Sequence, residues 1–128
     1  MLLVSKEGHM KQSAVIKAYK ALIKLGQRDL PIKLAFDLFK LKTALQPHFD
    51  FQVAEEKKAS ANATANPDGS ITFGTPEEAA AFRQKLMELG DIDVELKVKP
   101  VQIPLSIPGL TLSMEDIAAL DGFVQFTT

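Results

Sequence analysis

The sequence contains no cysteine and no tryptophan, and it has only one tyrosine among its 128 residues. The absence of cysteine excludes a disulfide scaffold, a thiol nucleophile, Cys-ligated zinc and iron–sulfur clusters. No apolar run reaches the length of about 18 residues that a transmembrane helix needs. Residues 1–10 lack the basic region and apolar stretch of a signal peptide. We therefore expect no membrane association.

Catalytic motifs are also missing from the sequence. The seven glycines are scattered singly, unlike the glycine-rich loops that bind phosphates, and the Gly-x-Ser-x-Gly motif of serine hydrolases is absent. His9 and His48 have no metal-binding spacing. Asp91, Asp93 and Glu95 alternate at a spacing similar to that of glycosidase carboxylates, but without tryptophan nearby they are interpreted as a solvated strand face. We predict no enzyme activity, no catalytic residue, no metal and no cofactor.

The net charge of −1 conceals an uneven distribution. Residues 1–64 contain 11 Lys and Arg against 6 Asp and Glu, whereas residues 65–128 contain 4 against 10. The halves therefore carry charges of opposite sign. Such a pattern is typical of a solvated surface, or of a surface that faces a partner or another copy of the chain.

Two helices are predicted in the first half. Apolar residues recur with helical spacing from Lys11 to Leu25, and Gly26 follows as a left-handed terminator. A second helix is predicted to be capped by Asp29, with Pro31 in its first turn and a kink or break near Pro47. Its apolar positions form two rows, and a stripe this wide must be covered on two sides. The first row is Leu34, Leu38, Leu41 and Leu45, extended by Phe49 and Val53, and the second row is Ile32, Ala35, Phe36 and Phe39.

The second half predicts shorter elements. Ala59–Ser70 is predicted to be a mobile loop and Ile71–Phe73 a strand. Thr75, Pro76 and Glu78 form a capping box that starts a third helix ending at Gly90. A half-buried strand follows from Ile92, and its buried face is expected to switch past Pro100.

The last elements are a short helix and a docked C-terminus. Ser113 and Asp116 lie at the capping-box distance and predict a helix over Met114–Leu120. Phe123, Val124 and Phe126 carry too much apolar surface for a free tail, so the C-terminus is predicted to dock on the core or on another subunit.

These elements predict one α+β domain over residues 1–128. A long antiparallel helical hairpin and a third helix pack with a small antiparallel sheet made by Ile71–Phe73 and Ile92–Ile103, and the short helix lies near the C-terminus. Residues 1–9 are consistent with a vector-derived segment, in which case the native chain begins at Met10; as native sequence, Leu2-Leu3-Val4 predicts a short strand.

Four segments resemble small uncharacterised proteins encoded by tailed phages and prophages. They are Ala-Tyr-Lys-Ala-Leu-Ile-Lys-Leu at 18–25, Leu-Pro-Ile-Lys-Leu-Ala-Phe at 30–36, Val-Glu-Leu-Lys-Val-Lys-Pro-Val at 94–101 and Ser-Met-Glu-Asp-Ile-Ala-Ala-Leu-Asp at 113–121. The resemblance implies a phage context, in the virion or the host cytoplasm. It assigns no activity and no catalytic residue.

The resulting expectation is a non-enzymatic phage structural or assembly-accessory protein. It would act by self-association, as a homo-oligomer, or by docking on another phage protein. The predicted interaction residues are Leu38, Leu41, Leu45, Phe49, Phe123 and Phe126. The alternative interpretation of these six residues is that all belong to the intramolecular core.

A second, less favoured expectation is a regulatory or host-takeover protein that binds nucleic acid. The residues that would bind it form a basic stripe on the first helix, namely Lys17, Lys20, Lys24 and Arg28. The acidic second half of the chain opposes this hypothesis. A solvated helix face is the simpler interpretation of the stripe.

Overall fold

A computed structural model describes residues 9–128 of the chain, and it confirms a mixed helix and strand fold. The predicted strand at Leu2-Leu3-Val4 lies outside the described residues, as does the predicted vector segment except for His9. The elements in chain order are β1 His9–Lys11, α1 Gln12–Leu25, α2 Ile32–Ala59, β2 Thr64–Ala65, β3 Ile71–Thr72, α3 Pro76–Gly90, β4 Asp93–Glu95, β5 Val101–Pro104, α4 Met114–Leu120 and β6 Val124–Thr127.

Helices α1 and α2 form the predicted antiparallel hairpin. The start of α1 lies beside the later part of α2, where the Gln12 side-chain amide donates to the His48 carbonyl at 2.8 Å. Midway along α1, the Tyr19 ring stacks on Phe49 with ring centroids 4.3 Å apart, and its hydroxyl bonds to Gln46. The chain then turns back through residues 26–31. The order of these contacts along the two helices fixes their opposite directions.

The core lies mainly between these two helices. Leu34, Leu38, Leu41 and Leu45, here called the leucine row, are all buried. At 100° per residue these four side chains lie on one face of α2. Their main partners are the buried side chains of α1, namely Val15, Ala18, Tyr19, Leu22 and Leu25. The leucine row therefore joins the hairpin by burial of apolar surface.

The hairpin differs from the prediction at three points. Helix α2 begins at Ile32 with Pro31 as its N-cap, rather than after Asp29, because the residue before a proline disfavours the helical conformation. Gly26 has φ −67°, which is right-handed. Of the two outcomes predicted at Pro47, a kink or a break, the break does not occur, because α2 continues through it. Proline removes one helical hydrogen bond, but buried Leu45 and the bond from Gln12 to His48 hold α2 against α1 on both sides of it.

The strands form three separate pairs. β1 pairs with β4 antiparallel, β2 with β3 antiparallel, and β5 with β6 parallel. The predicted sheet between Ile71–Phe73 and Ile92–Ile103 is therefore wrong in its pairing, because Ile71 pairs with Ala65. The turn between β2 and β3 explains this local pairing: Gly69 has φ 91°, and the Asn66 amide donates to the Ser70 carbonyl at 2.8 Å. Strand β2, the first strand of this hairpin, therefore lies within the segment Ala59–Ser70 that was predicted to be a loop.

Other local predictions are confirmed. The Thr75 hydroxyl accepts from the Glu78 amide at 3.1 Å, and the Ser113 hydroxyl accepts from the Asp116 amide at 3.0 Å. The buried positions change from even to odd numbers across Pro100, since Val94, Leu96, Val101 and Ile103 are buried. At the C-terminus, Phe123 and Val124 are buried in the core and Phe126 packs against it, so this segment docks within the chain.

Helix α3 is tied to the later part of α2 by Glu55. Its carboxylate lies 3.0 Å from the Lys58 ammonium of the same helix and 3.2 Å from the Lys85 ammonium of α3. Hydrogen bonds from Lys58 and then Lys85 lower the pKa of the Glu55 carboxyl. This carboxylate therefore stabilises the fold while it is ionised.

Truncation of the leucine row should be strongly destabilising. We expect Leu45→Ala to lower the free energy of unfolding by about 2–5 kcal/mol, because it leaves a cavity at a fully buried site. Leu105→Ala is the matched control, since Leu105 is 62% exposed, and should change the stability by less than about 0.5 kcal/mol. Urea unfolding measures both, and equal effects would contradict the assigned core.

The contribution of Glu55 should depend on pH. A carboxyl whose pKa is lowered on folding contributes stability above its unfolded pKa and loses it as the pH falls through the folded pKa. We expect Glu55→Gln to be less stable than the wild type at pH 7. The difference should shrink as the pH falls from the ordinary range of a glutamate carboxyl through the lowered pKa of Glu55 in the folded protein, because the carboxyl is then protonated in both states. Urea midpoints of the two proteins across this range test it, and a difference that stays constant would contradict the assignment.

Candidate functional site

Three large apolar side chains in the first third of α2 are exposed on its outer face. Ile32 is 89% exposed, Phe36 58% and Phe39 60%. At 100° per residue they lie within about 60° of one another and roughly 160° from the leucine row. We call these three residues the apolar row. The sequence predicts that these residues form a second row beside the leucine row. In the structure they lie on nearly the opposite face of α2.

The six predicted interaction residues do not lie on an open surface. Leu38, Leu41, Leu45 and Phe123 are buried, and Phe49 and Phe126 are partly buried and packed against the core. The alternative interpretation, an intramolecular core, describes their positions. The wide apolar stripe of α2 was expected to need cover on two sides. The fold covers the leucine row and leaves the apolar row exposed.

Charged side chains border the apolar row on α2. The Lys40 ammonium lies 5.4 Å from the centre of the Phe36 ring, within the range of a cation–π contact. Lys33 pairs with Asp37 at 3.3 Å. An apolar centre with a charged rim is the usual composition of a protein–protein contact surface.

A groove of about 780 Å³ adjoins these charged residues. Four lysines line it, Lys33 and Lys40 from α2 and Lys97 and Lys99 from the segment between β4 and β5, together with the single carboxylate of Asp37. We call it the basic groove. Its apolar lining includes Leu34, Leu41, Val98, Val101 and Ile107.

Sequence reasoning missed Lys97 and Lys99. They alternate with Val98, which packs against the core while both lysines are exposed. The alternation alone indicates that the two lysines share one face of an extended segment. Their approach to Lys33 and Lys40 is decided by tertiary structure.

The outer edge of β5 offers few backbone donors to an added strand. The amides of Val101 and Leu105 donate to carbonyls of the β6 segment, so alternation turns Gln102 and Pro104 towards the other edge. Pro104 has no amide hydrogen, and Pro100 precedes the strand. Gln102 is therefore the only residue of β5 whose amide hydrogen is turned towards this edge.

The basic stripe of α1 is only partly free. Lys24 pairs with Asp116 of α4 at 3.3 Å, and the Arg28 guanidinium donates to the Thr111 hydroxyl at 3.4 Å. Lys17 and Lys20 are exposed, with no ion pair to any residue in the range 9–128. Two of the four charges thus contact the segment around α4.

The predicted acidic strand face lies beside Lys11. The Lys11 ammonium is 3.1 Å from the Asp93 carboxylate and 3.8 Å from that of Asp91. A hydrogen bond to Asp93 raises the pKa of Lys11. These carboxylates are exposed and do not line the basic groove. Within residues 9–128 no cluster of three or more His, Asp or Glu side chains has a geometry that would hold a metal.

None of the helices in the described part of the chain has both the length and the apolar character needed to cross a membrane.

Comparisons with protein families, with curated proteins and with solved structures find no match to this chain. The resemblance to small phage proteins therefore stays a prediction from the four sequence segments.

The nucleic-acid hypothesis can be tested on the free part of the basic stripe. If it is correct, Lys17→Glu with Lys20→Glu should weaken DNA or RNA binding and reduce its salt dependence, since phosphate contacts release counterions. Lys24 is left unchanged because its reversal would face Asp116. Fluorescence anisotropy with labelled oligonucleotides at several salt concentrations is the measurement. An unchanged profile would contradict the hypothesis.

Proposed function

We propose that the protein is non-enzymatic and acts by docking on another protein molecule through the apolar row of α2. The observation that carries this proposal is the exposure of Ile32, Phe36 and Phe39 on successive turns of one helix. The partner is a second copy or a different protein, as expected for a structural or assembly-accessory role.

The cost of exposing these side chains supports a docking role. Burial of one large apolar side chain stabilises a complex or a fold by about 1.5–3 kcal/mol relative to its exposure. Contiguous apolar side chains that remain in water are typical of interaction sites. Aromatic residues are enriched at the centres of such sites, and the apolar row contains two.

The helix that carries the apolar row is itself well anchored. The leucine row buries the opposite face of α2, so the apolar row is presented on a fixed helix rather than on a loop. A partner would then meet a preformed surface and pay little for ordering it. The fold can keep these side chains exposed because α2 does not need them for its attachment to α1.

The biological setting is proposed from the sequence resemblance alone. It suggests a phage or prophage protein located in the virion or in the host cytoplasm. Nucleic-acid binding through the basic stripe is less well supported, because Lys24 and Arg28 already contact Asp116 and Thr111.

A photo-crosslinker within the apolar row tests the docking function. We expect benzoylphenylalanine in place of Phe39 to give one discrete adduct in the cells that produce the protein, because the partner covers this side chain. Mass spectrometry of the adduct identifies the partner as the same chain or another protein. The matched control carries the crosslinker in place of Gln84, an exposed residue of α3, and should give no such adduct.

A second substitution makes the crosslinking result specific. Phe36→Glu, combined with the crosslinker at position 39, should abolish the adduct because it places a charge in the proposed contact. Its stability should change by less than about 0.5 kcal/mol, since Phe36 is exposed. An adduct that persists in this variant, or that forms equally from position 84, would contradict docking through the apolar row.

A further inference from the structure

The basic groove contains positive charge that the described part of the chain does not neutralise. Its single carboxylate, Asp37, is already paired with Lys33 at 3.3 Å. Lys40, Lys97 and Lys99 are exposed, and none of them forms an ion pair with another residue of the described part. Three such cations around one groove favour an acidic ligand, because complementary charge speeds association and selects among partners.

The four lysines of the groove come in two pairs, one from each of two elements. Lys97 and Lys99 share one face of an extended segment, where alternate residues are about 7 Å apart. Lys33 and Lys40 are separated by roughly 10 Å along α2, and they lie within about 20° of each other around the helix. About three residues of extended chain would span either pair. The groove therefore has the length of a short peptide segment.

The rest of the groove lining is mainly aliphatic. Val98 and Ile107 line the groove and are only partly buried, so part of their apolar surface can still be covered by a ligand. Gln102 adds one backbone amide at the edge of β5. A ligand that combines carboxylates with apolar side chains would match both the charged and the aliphatic parts of the groove.

The positive surface is short because acidic residues adjoin it. Only the buried Leu96 separates Glu95 from Lys97 in the chain, and both charged side chains are exposed. Asp37 lies in the groove itself. A long polyanion such as single-strand nucleic acid would extend beyond the lysines towards these carboxylates. It would also find no aromatic side chain for base stacking among the described residues that line the groove, so a short acidic protein segment is the better occupant.

The basic groove and the apolar row adjoin each other on α2. At about 100° per residue, Lys40 follows Phe36 by about 40° around the helix, and Leu41 of the groove lies about 100° further on. The Lys40 ammonium also lies 5.4 Å from the centre of the Phe36 ring. A partner that covers the apolar row therefore meets the lysines of the groove. A twofold contact between two copies would instead bring two sets of these lysines together, and facing like charges oppose association.

We propose that the basic groove binds an acidic segment of the partner protein, whose carboxylates pair with Lys40, Lys97 and Lys99 while its apolar side chains lie on the aliphatic lining. This inference rests on the proposed docking function, and it identifies the partner by its chemistry as a different, acidic protein. In this arrangement the apolar row forms the hydrophobic centre of the contact. The groove selects the partner and its register, because complementary charge gives specificity more than affinity.

Titration with a synthetic peptide tests the groove directly. The probe is the acidic peptide Glu-Leu-Asp-Val-Glu-Leu-Asp, and the control peptide has lysine in place of every Glu and Asp. We expect the amide signals of Lys97, Lys99 and Gln102 to shift in heteronuclear NMR spectra with the acidic peptide only. The binding should weaken at high salt, because the charges of the groove are exposed and are screened by ions.

A charge-reversed variant shows whether the lysines hold the peptide. The groove variant, Lys97→Glu with Lys99→Glu, should bind the acidic peptide at least about tenfold more weakly, because like charges then face each other. The matched control is Lys17→Glu with Lys20→Glu, which makes the same charge change on the exposed face of α1 and should bind like the wild type. Urea midpoints close to that of the wild type establish that both variants are folded.

The crosslinker in place of Phe39 extends the test to the partner itself. We expect the adduct to contain a different protein with an acidic segment, and to become at least about tenfold weaker when Lys97→Glu and Lys99→Glu are combined with the crosslinker. Replacing two carboxylates of that segment by lysine should restore the adduct of the groove variant, because the charges are then complementary again.

Four results would overturn the inference: groove signals that the acidic peptide leaves unchanged, a groove variant that binds it like the wild type, an adduct made of two copies of this chain, or charge reversal in the partner that restores nothing. If the crosslinker at position 39 still gives its specific adduct in those cases, the docking function stands and the role of the groove is wrong. Peptide binding without any adduct would instead remove the docking function and leave a separate acidic-peptide site. Groove signals that shift with oligothymidylate but not with the peptide would assign the groove to nucleic acid.

Discussion

The structure depends on the contact between the leucine row of α2 and the apolar face of α1. Helix α2 has 28 residues and α1 has 14, so one short helix packs against only part of a much longer one. The leucine row takes the face that α1 covers. The remaining apolar side chains of α2, above all Ile32, Phe36 and Phe39, point away from that contact and stay exposed.

The other elements complete what α1 alone cannot cover. β5, β6 and Phe123 add buried side chains to the same core, and α4 packs against α1. A buried polar side chain between the two helices is also paired. The Gln12 side-chain amide donates to the His48 carbonyl and to the Gln52 side chain. Burial of a polar group costs little free energy when the group is paired in this way. The full length of α1 can therefore lie close to α2.

Charge is organised by the fold more than by the order of residues. The sequence divides into a basic first half and an acidic second half, yet the basic groove takes two lysines from each half. Several opposite charges of the two halves pair within one chain, at its surface, as in the pairs of Lys24 with Asp116 and Lys11 with Asp93. Only the charges left over from these pairs are available to a partner.

The local features follow from the sequence alone: the helical periodicity of α1 and α2, the caps at Thr75 and Ser113, and the switch of buried face at Pro100. Each depends on residues a few positions apart. The tertiary structure decided the strand partners, the burial of Phe123 and the grouping of Lys33 and Lys40 with Lys97 and Lys99. These depend on contacts between residues far apart in the chain, whose energies favour one arrangement only when the whole core is assembled.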